Sequence, residues 1–354
     1  MTARSDERHE GCPGAGRVGA ASSDPRPQWR WRLNWLAYVP LGFYLIWLMI
    51  HHRSSTVFTA ANPGIATGGT VGESKAATLA SVALAGGCVA EYCLLAPSAN
   101  CDARVRSAMQ WMDESGLTFP IIVKPDAGDH GWGVALIYTP RDMRRYLRCV
   151  QPAVIVQRYI PGIEAGIFYC RFPSAERGRI VSISESIHPL AAHAGRRLEG
   201  SPSMVFGFGC HDAEYRDARH LISPRLEHAV DALCRAVPGF FFGRFDVRAA
   251  SAEALRRGEF TIIELNGVLA EATHIYDPAT GFAEACATLF RQWRLAFEIG
   301  AQNRVRGARP APMRELVKLI AMKVWSEATA SRLRSLARTS RDALLQREGD
   351  AGLT

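Results

Sequence analysis

The chain has 354 residues, 48% hydrophobic and 21% charged, with a formal net charge of +8. That composition excludes a disordered chain, a collagen-like chain and a polytopic membrane protein. The charge is uneven: residues 1–32 carry six Arg against four acids, residues 301–354 carry eleven basic residues against five acids, and residues 33–300 balance at 25 and 25. A neutral body argues against nucleic acid as a partner. Basic ends fit an acidic lipid surface instead.

In chain order, residues 1–28 are polar, aperiodic and rich in Gly, Ala, Ser and Arg, which predicts disorder. The segment 29–54 contains an uncharged run from Leu33 to Ile50, at the lower edge for a bilayer span. Arg30 and Arg32 flank it on one side, His51, His52 and Arg53 on the other. Three readings stay open: a membrane-embedded helix or in-plane anchor, a helix buried in the protein, and a cleaved signal. Pro40 and Gly42 would permit a kink.

Residues 60–116 form an N-terminal region. Its stretch 62–75 is Gly-rich and leads into a helix over 73–84, and a second helix is expected over 103–115. Strands follow at 120–124, 133–138, 153–159, 179–187, 241–249 and 259–266, with helices at 140–149 and 224–236. This mixed order predicts an α+β fold rather than a doubly wound sheet. Residues 313–345, within a basic tail 301–354, carry Leu316, Ile320 and Val324 at helical spacing and predict a basic amphipathic helix. The nine cysteines are scattered, with no C-x-x-C, so neither a zinc site nor a disulfide framework is expected.

Three constellations carry chemistry. In the first, the apolar strand before Lys124 runs into a turn with Gly128, Gly131 and Gly133. Backbone N–H groups in such a turn approach phosphate oxygens, and the lysine adds a point charge. A plain β-hairpin with a lysine at a strand end fits the same residues. In the second, the strand 154–159 leaves through Gln157, Tyr159, Ile160 and a Pro-Gly turn to Glu164. The carboxylate can accept from ribose hydroxyls, or it is an ordinary surface Glu at a strand exit.

The third is the most informative. Strand alternation puts Arg244 and Asp246 on one face, and Glu264 and Asn266 likewise. Residues 251–259 can close an antiparallel hairpin between them. Two carboxylates, an amide oxygen and an arginine would then converge, a hard-oxygen set suited to Mg²⁺ carrying phosphates rather than to zinc.

Together, and in this order, the three resemble the ATP-grasp superfamily, in its carboxylate–amine ligase branch, over residues 117–280. The resemblance implies two α+β lobes sandwiching ATP, with an ATP-grasp domain over 117–300. It implies that Lys124 contacts ATP phosphates under the loop 126–133, that Gln157 and the backbone near Arg158, Tyr159 and Ile160 frame adenine, and that Glu164 meets ribose. Asp246, Glu264 and Asn266 match its ligands for Mg²⁺, with Mn²⁺ the alternative. Arg244 matches the residue that steadies charge on the acyl phosphate. Lys75, 49 residues before Lys124, is a candidate second phosphate lysine by spacing. The loop 267–277 lies where the family binds its small-molecule carboxylate and amine substrates. Glu271, His274 and Asp277 stand there in place of a Ser-rich run, and the phosphate loop carries Asp126, Asp129, His130 and Trp132. His274 reads best as a satisfied loop histidine, and Arg196, Arg197 and His211 as solvated surface.

The expected activity is ATP-dependent ligation through an acyl phosphate. Its rivals are a phosphotransferase and a membrane-associated ATP-binding module without turnover. Dependence on ATP places the chain in the cytoplasm or on the cytoplasmic side of the inner membrane. The sequence sets no oligomeric state.

Overall fold

The computed structural model describes residues 29–98, 100–128, 132–187, 204–208 and 214–322, with the backbone alone at 29–37, 132, 149 and 204–208. The sequence expectations for residues 1–28, for Asp129, His130 and Gly131, for Arg196, Arg197 and His211, and for the tail beyond 322 lie outside the described residues.

The fold is α+β, built on two five-stranded antiparallel sheets. The first has the order β1-β4-β2-β3-β7, from β1 (Tyr92–Leu95), β2 (Ile121–Pro125), β3 (Trp132–Ile137), β4 (Val154–Arg158) and β7 (Met204–Phe208). Helices α3 (Cys101–Glu114) and α4 (Pro140–Cys149) cover it. Val105, Met112, Met143 and Tyr146 meet Val123, Ala135 and Val156 in a closed apolar core. Asn100 and Thr139 cap the two helices by accepting from Ala103 N and Asp142 N.

The second sheet has the order β10-β9-β5-β6-β8, from β5 (Ile163–Cys170), β6 (Arg179–Ile187), β8 (Glu214–Asp217), β9 (Phe242–Ala249) and β10 (Thr261–Asn266). Helices α2 (Lys75–Leu84) and α5 (Pro224–Ala236) pack on one face, where Leu79, Val82, Leu226 and Val230 join Ile167, Phe245, Val247 and Ile262. A helical turn, α6 (Ala252–Arg256), sits in the connection that closes the β9–β10 hairpin.

The third core forms around α7 (Phe282–Val305). The apolar segment proves to be part of a continuous helix, α1 (Trp29–His51), that runs on through Pro40. One side of it packs: Leu41 and Leu48 are buried, and the Tyr44 ring stacks on Phe290 of α7 with centroids 4.8 Å apart. On the other side Val39, Phe43, Ile46 and Ile50 are exposed. Among the described residues, no helix is long and apolar enough to cross a membrane. Residues 313–322 are helical, with Leu316 buried in the same core and Val317 and Ile320 exposed.

Candidate active site

The site lies where the two sheets meet. The β9–β10 pairing sets its floor: Glu264 stands opposite Asp246 and Asn266 opposite Arg244, with a register shift between Ile262 and Glu264. The structure therefore brings the expected carboxylates, amide and arginine together. Arg244 grips Asp246 with two prongs, Nε to Oδ1 at 2.7 Å and Nη2 to Oδ2 at 3.1 Å. Asn266 Nδ2 donates to the same Oδ2 at 2.9 Å. The remaining Arg244 prong, Nη1, donates to the Glu271 carbonyl at 2.9 Å.

Space for that guanidinium comes from the neighbouring strand. Gly166 of β5 pairs with Asp246, and a Cβ on Gly166 would lie 3.0 Å from Arg244 Cδ. A glycine inside a strand here marks close approach of a long side chain.

Two lysines from distant segments close on Glu264. Lys124, at the end of β2, places Nζ 3.8 Å from Oε2 and donates to the Ile263 carbonyl at 2.9 Å. Lys75, at the start of α2, places Nζ 3.2 Å from Oε1 and also reaches the Gly128 carbonyl. Both lysines are buried. Burial pushes the Glu264 carboxyl up, but Lys75 and Lys124 outweigh it and hold it below its ordinary value. Burial depresses Lys124, with Glu264 opposing. For Asp246, burial and the nearby Glu264 and Glu164 charges prevail over Arg244 and raise the carboxyl. Arg244 is held above its ordinary value because Asp246 outweighs burial.

The acid before the Gly-rich turn has a structural explanation. Asp126 Oδ1 accepts from Ser74 Oγ at 3.0 Å and from Ala76 N at 2.9 Å, and the Asp126 carbonyl accepts from Lys75 N at 3.1 Å. The carboxylate is thus turned onto the positive end of α2, where its charge is favourable. The same contacts fix the start of α2, and with it Lys75, beside β2. Gly128 and Gly133 both have positive φ, and a Cβ on Gly133 would meet the Pro125 ring at 2.8 Å.

The second constellation lies at the rim. Gln157 is buried and points Nε2 toward the Ile263 carbonyl at 3.4 Å, sharing that acceptor with Lys124. Glu164 pairs in register with Arg248 of β9, whose Nε donates to it at 3.1 Å. Arg248 also donates to the Ile160 carbonyl at 3.3 Å and lies over the Tyr159 ring, 5.4 Å from its centroid. The sequence reading missed Arg248. Its signal was there: it continues the period-two face of Arg244 and Asp246.

The loop 267–277 is tightly held. His274 is buried and its Nδ1 hydrogen-bonds Ser182 Oγ at 2.6 Å. Thr273 bonds Ser184, and Asp277 accepts from Asp217 N at 2.7 Å. The Gly-rich stretch packs beneath: Asn62 Nδ2 donates to Gly68 O and Phe242 O, and its Oδ1 accepts from Phe241 N and Phe242 N. Gly69 has φ +79°, and a Cβ there would sit 2.5 Å from Gly267 Cα.

Among the described residues, no group of three or more His, Cys, Asp or Glu side chains is placed to hold a metal. The hard-oxygen set is two opposed carboxylates and an amide, Asp246, Glu264 and Asn266. That set suits a divalent cation whose shell is completed by phosphate oxygens.

No protein-family model matches the chain, and no curated protein matches it. Among solved structures it is similar to the VanG D-Ala:D-Ser ligase from Enterococcus faecalis, at 16% identity over 62% of this chain and 61% of that one, with a TM-score of 0.41. It is similar to the D-cycloserine synthetase DcsG, at 17% identity over 64% and 69%, with a TM-score of 0.41. It is also similar to a D-alanine–D-alanine ligase from Bacillus anthracis complexed with ATP, at 16% identity over 66% and 68%, with a TM-score of 0.39. The chain thus spans about three fifths of the first of these.

Proposed function

We propose that this protein is an ATP-dependent carboxylate–amine ligase of ATP-grasp type. One observation carries the reading: Lys75 and Lys124 converge on Glu264, directly opposite Asp246. Two buried cations beside two half-buried carboxylates form a set that a polyphosphate and a divalent cation would re-pair. The phosphates would take the lysines, and Asp246, Glu264 and Asn266 would hold Mg²⁺, or Mn²⁺ in its place. The metal, when bound, would supply neutralising charge for the phosphate oxygens.

The γ-phosphoryl group passes to the substrate carboxylate, giving ADP and an acyl phosphate. The amine nitrogen then attacks the acyl carbon and loses a proton, and inorganic phosphate leaves as the amide forms. Lys75 and Lys124 orient the phosphates, with the backbone around Gly128 and Gly133 over them. Gln157, Tyr159, Ile160 and Glu164 border the nucleoside. Arg244, held by Asp246, presents charge toward the acyl group. Catalysis is then mostly positioning and electrostatics.

The test is ADP release by the full chain with MgATP over a panel of acids and amines, with products identified by mass. ADP release that needs both partners and yields an amide supports the ligase. A phosphorylated acid as the end product would show a phosphotransferase instead, and ATP binding without turnover on any pair would show a binding module.

We also propose that the exposed stripe of α1 rests on an acidic membrane surface on the cytoplasmic side. Val39, Phe43, Ile46 and Ile50 recur at helical spacing, and Phe43 and Ile50 are 71% and 72% exposed. Flotation with anionic vesicles should fail for Phe43→Asp with Ile50→Asp; undiminished flotation would overturn the assignment.

A further inference from the structure

Between α1, the loop after β10 and α7 lies a cavity of about 200 Å³. Leu41 and Leu45 of α1, Val268 and Ala270 of the loop, and Leu289 and Trp293 of α7 wall it. Its polar liners are Gln292, whose buried Nε2 has no hydrogen-bond partner, and Glu271, whose Oε1 accepts from Tyr38 Oη at 2.7 Å and whose Oε2 accepts from Tyr276. Both donors are neutral. Among the described residues, no ion pair cancels the Glu271 charge.

The cavity adjoins the reacting centre through one guanidinium. Arg244 holds Asp246 with two prongs and the Glu271 carbonyl with the third. A molecule lodged in the cavity with its polar end at the Glu271 carboxylate would therefore touch the residue whose main-chain carbonyl Arg244 holds.

Size and chemistry narrow the occupant. An apolar cavity of about 150 Å³ stays dry and holds benzene. This one suits a single aromatic ring or a short branched alkyl group, and is too small for a long acyl chain. An uncancelled carboxylate at its edge favours a cation.

We propose that this cavity is the side-group pocket of the amine substrate: a primary amine bearing one ring-sized apolar group, its ammonium nitrogen against Glu271. The proposal rests on the ligase reading and names its acceptor class. The pocket requires α1, which lies outside both sheets and supplies Tyr38, Leu41 and Leu45.

Benzylamine is the probe, titrated into the full chain by calorimetry, with ethanolamine and benzyl alcohol as controls. Saturable benzylamine binding is expected, with ethanolamine at least tenfold weaker. Ala270→Phe, which fills the cavity from the loop, and Leu289→Phe, which fills it from α7, should each weaken benzylamine at least tenfold. Glu271→Gln should weaken benzylamine and leave benzyl alcohol unchanged. Benzylamine binding that is absent in the wild type, or equal in both filled variants that still unfold cooperatively, overturns the pocket. MgATP binding is measured separately on the same proteins. Its absence in the wild type overturns the ligase reading, while the benzylamine titrations still decide whether the cavity binds apolar amines.

Discussion

Asp246 and Glu264 face each other across the β9–β10 pair, and each is neutralised from a different direction. Arg244 reaches Asp246 from its own strand, while Lys75 and Lys124 reach Glu264 from α2 and β2. The two carboxylates therefore stand side by side without sharing a cation. On the proposed function, their charges would exchange partners with an entering polyphosphate.

Glu264→Gln should lower ADP release by roughly 10²-fold or more, in line with the loss of one preorganised electrostatic group. The chain should stay folded, since the amide keeps the shape of the side chain. Steady-state ADP production with circular dichroism as the folding check measures this. Full activity in the variant would remove Glu264 from the site.

Gly166→Val would drive a side chain into Arg244, which already lies 3.0 Å from a Cβ at that position. Arg244 should lose its two-pronged hold on Asp246. The expected signature is a fall in turnover with little change in MgATP affinity. Equal turnover in the valine variant would show that the guanidinium has another place to go.

Asn62→Ala should destabilise the chain by about 3 kcal/mol, because the fully buried amide serves two carbonyls and two N–H groups that would lose their partner. Denaturant unfolding measures it. A change below about 0.5 kcal/mol would mean that these backbone groups find other partners.

His274 supplies a pH prediction. Burial lowers its pKa from the ordinary 6.5, with Arg219 acting in the same direction and Asp217, Glu284 and Asp277 opposing. The fold therefore favours the neutral ring. That stability is present above the unfolded value and is lost as pH falls through it toward the lower folded one. Stability should drop from pH 7.5 to 5.5 in the wild type, and less steeply in His274→Gln. Parallel pH profiles would remove His274 as the cause.

Much of the site was legible because its residues are near neighbours in strands. Arg244, Asp246, Glu264 and Asn266 follow from a period of two and one hairpin. Arg248 obeys the same period but was overlooked, because its partner Glu164 lies on β5. That strand went unread: Pro161 and Gly162 signal a strand exit, whereas the chain turns there, leaves the first sheet and enters the second as its central strand. Lys75 was visible only as a spacing. What brings it to Glu264 is the Asp126 contact with the start of α2, a tertiary pairing with no local pattern. The apolar run 33–50 left three readings open because hydropathy does not say which side of a helix finds a partner. Leu41 and Leu48 found one in α7, and Phe43 and Ile50 did not.

The placement of α1 has a consequence for how such a chain diversifies. On the proposed function, nucleotide handling would rest on the two sheets and the segments pinned to them, whereas one wall of the apolar cavity belongs to a helix laid on from outside. Substitutions at Leu41 or Leu45 can reshape that wall without disturbing a residue that touches Asp246 or Glu264. If the proposed function holds, the helix would be an exchangeable part, able to change what the pocket admits while the phosphate chemistry stays constant.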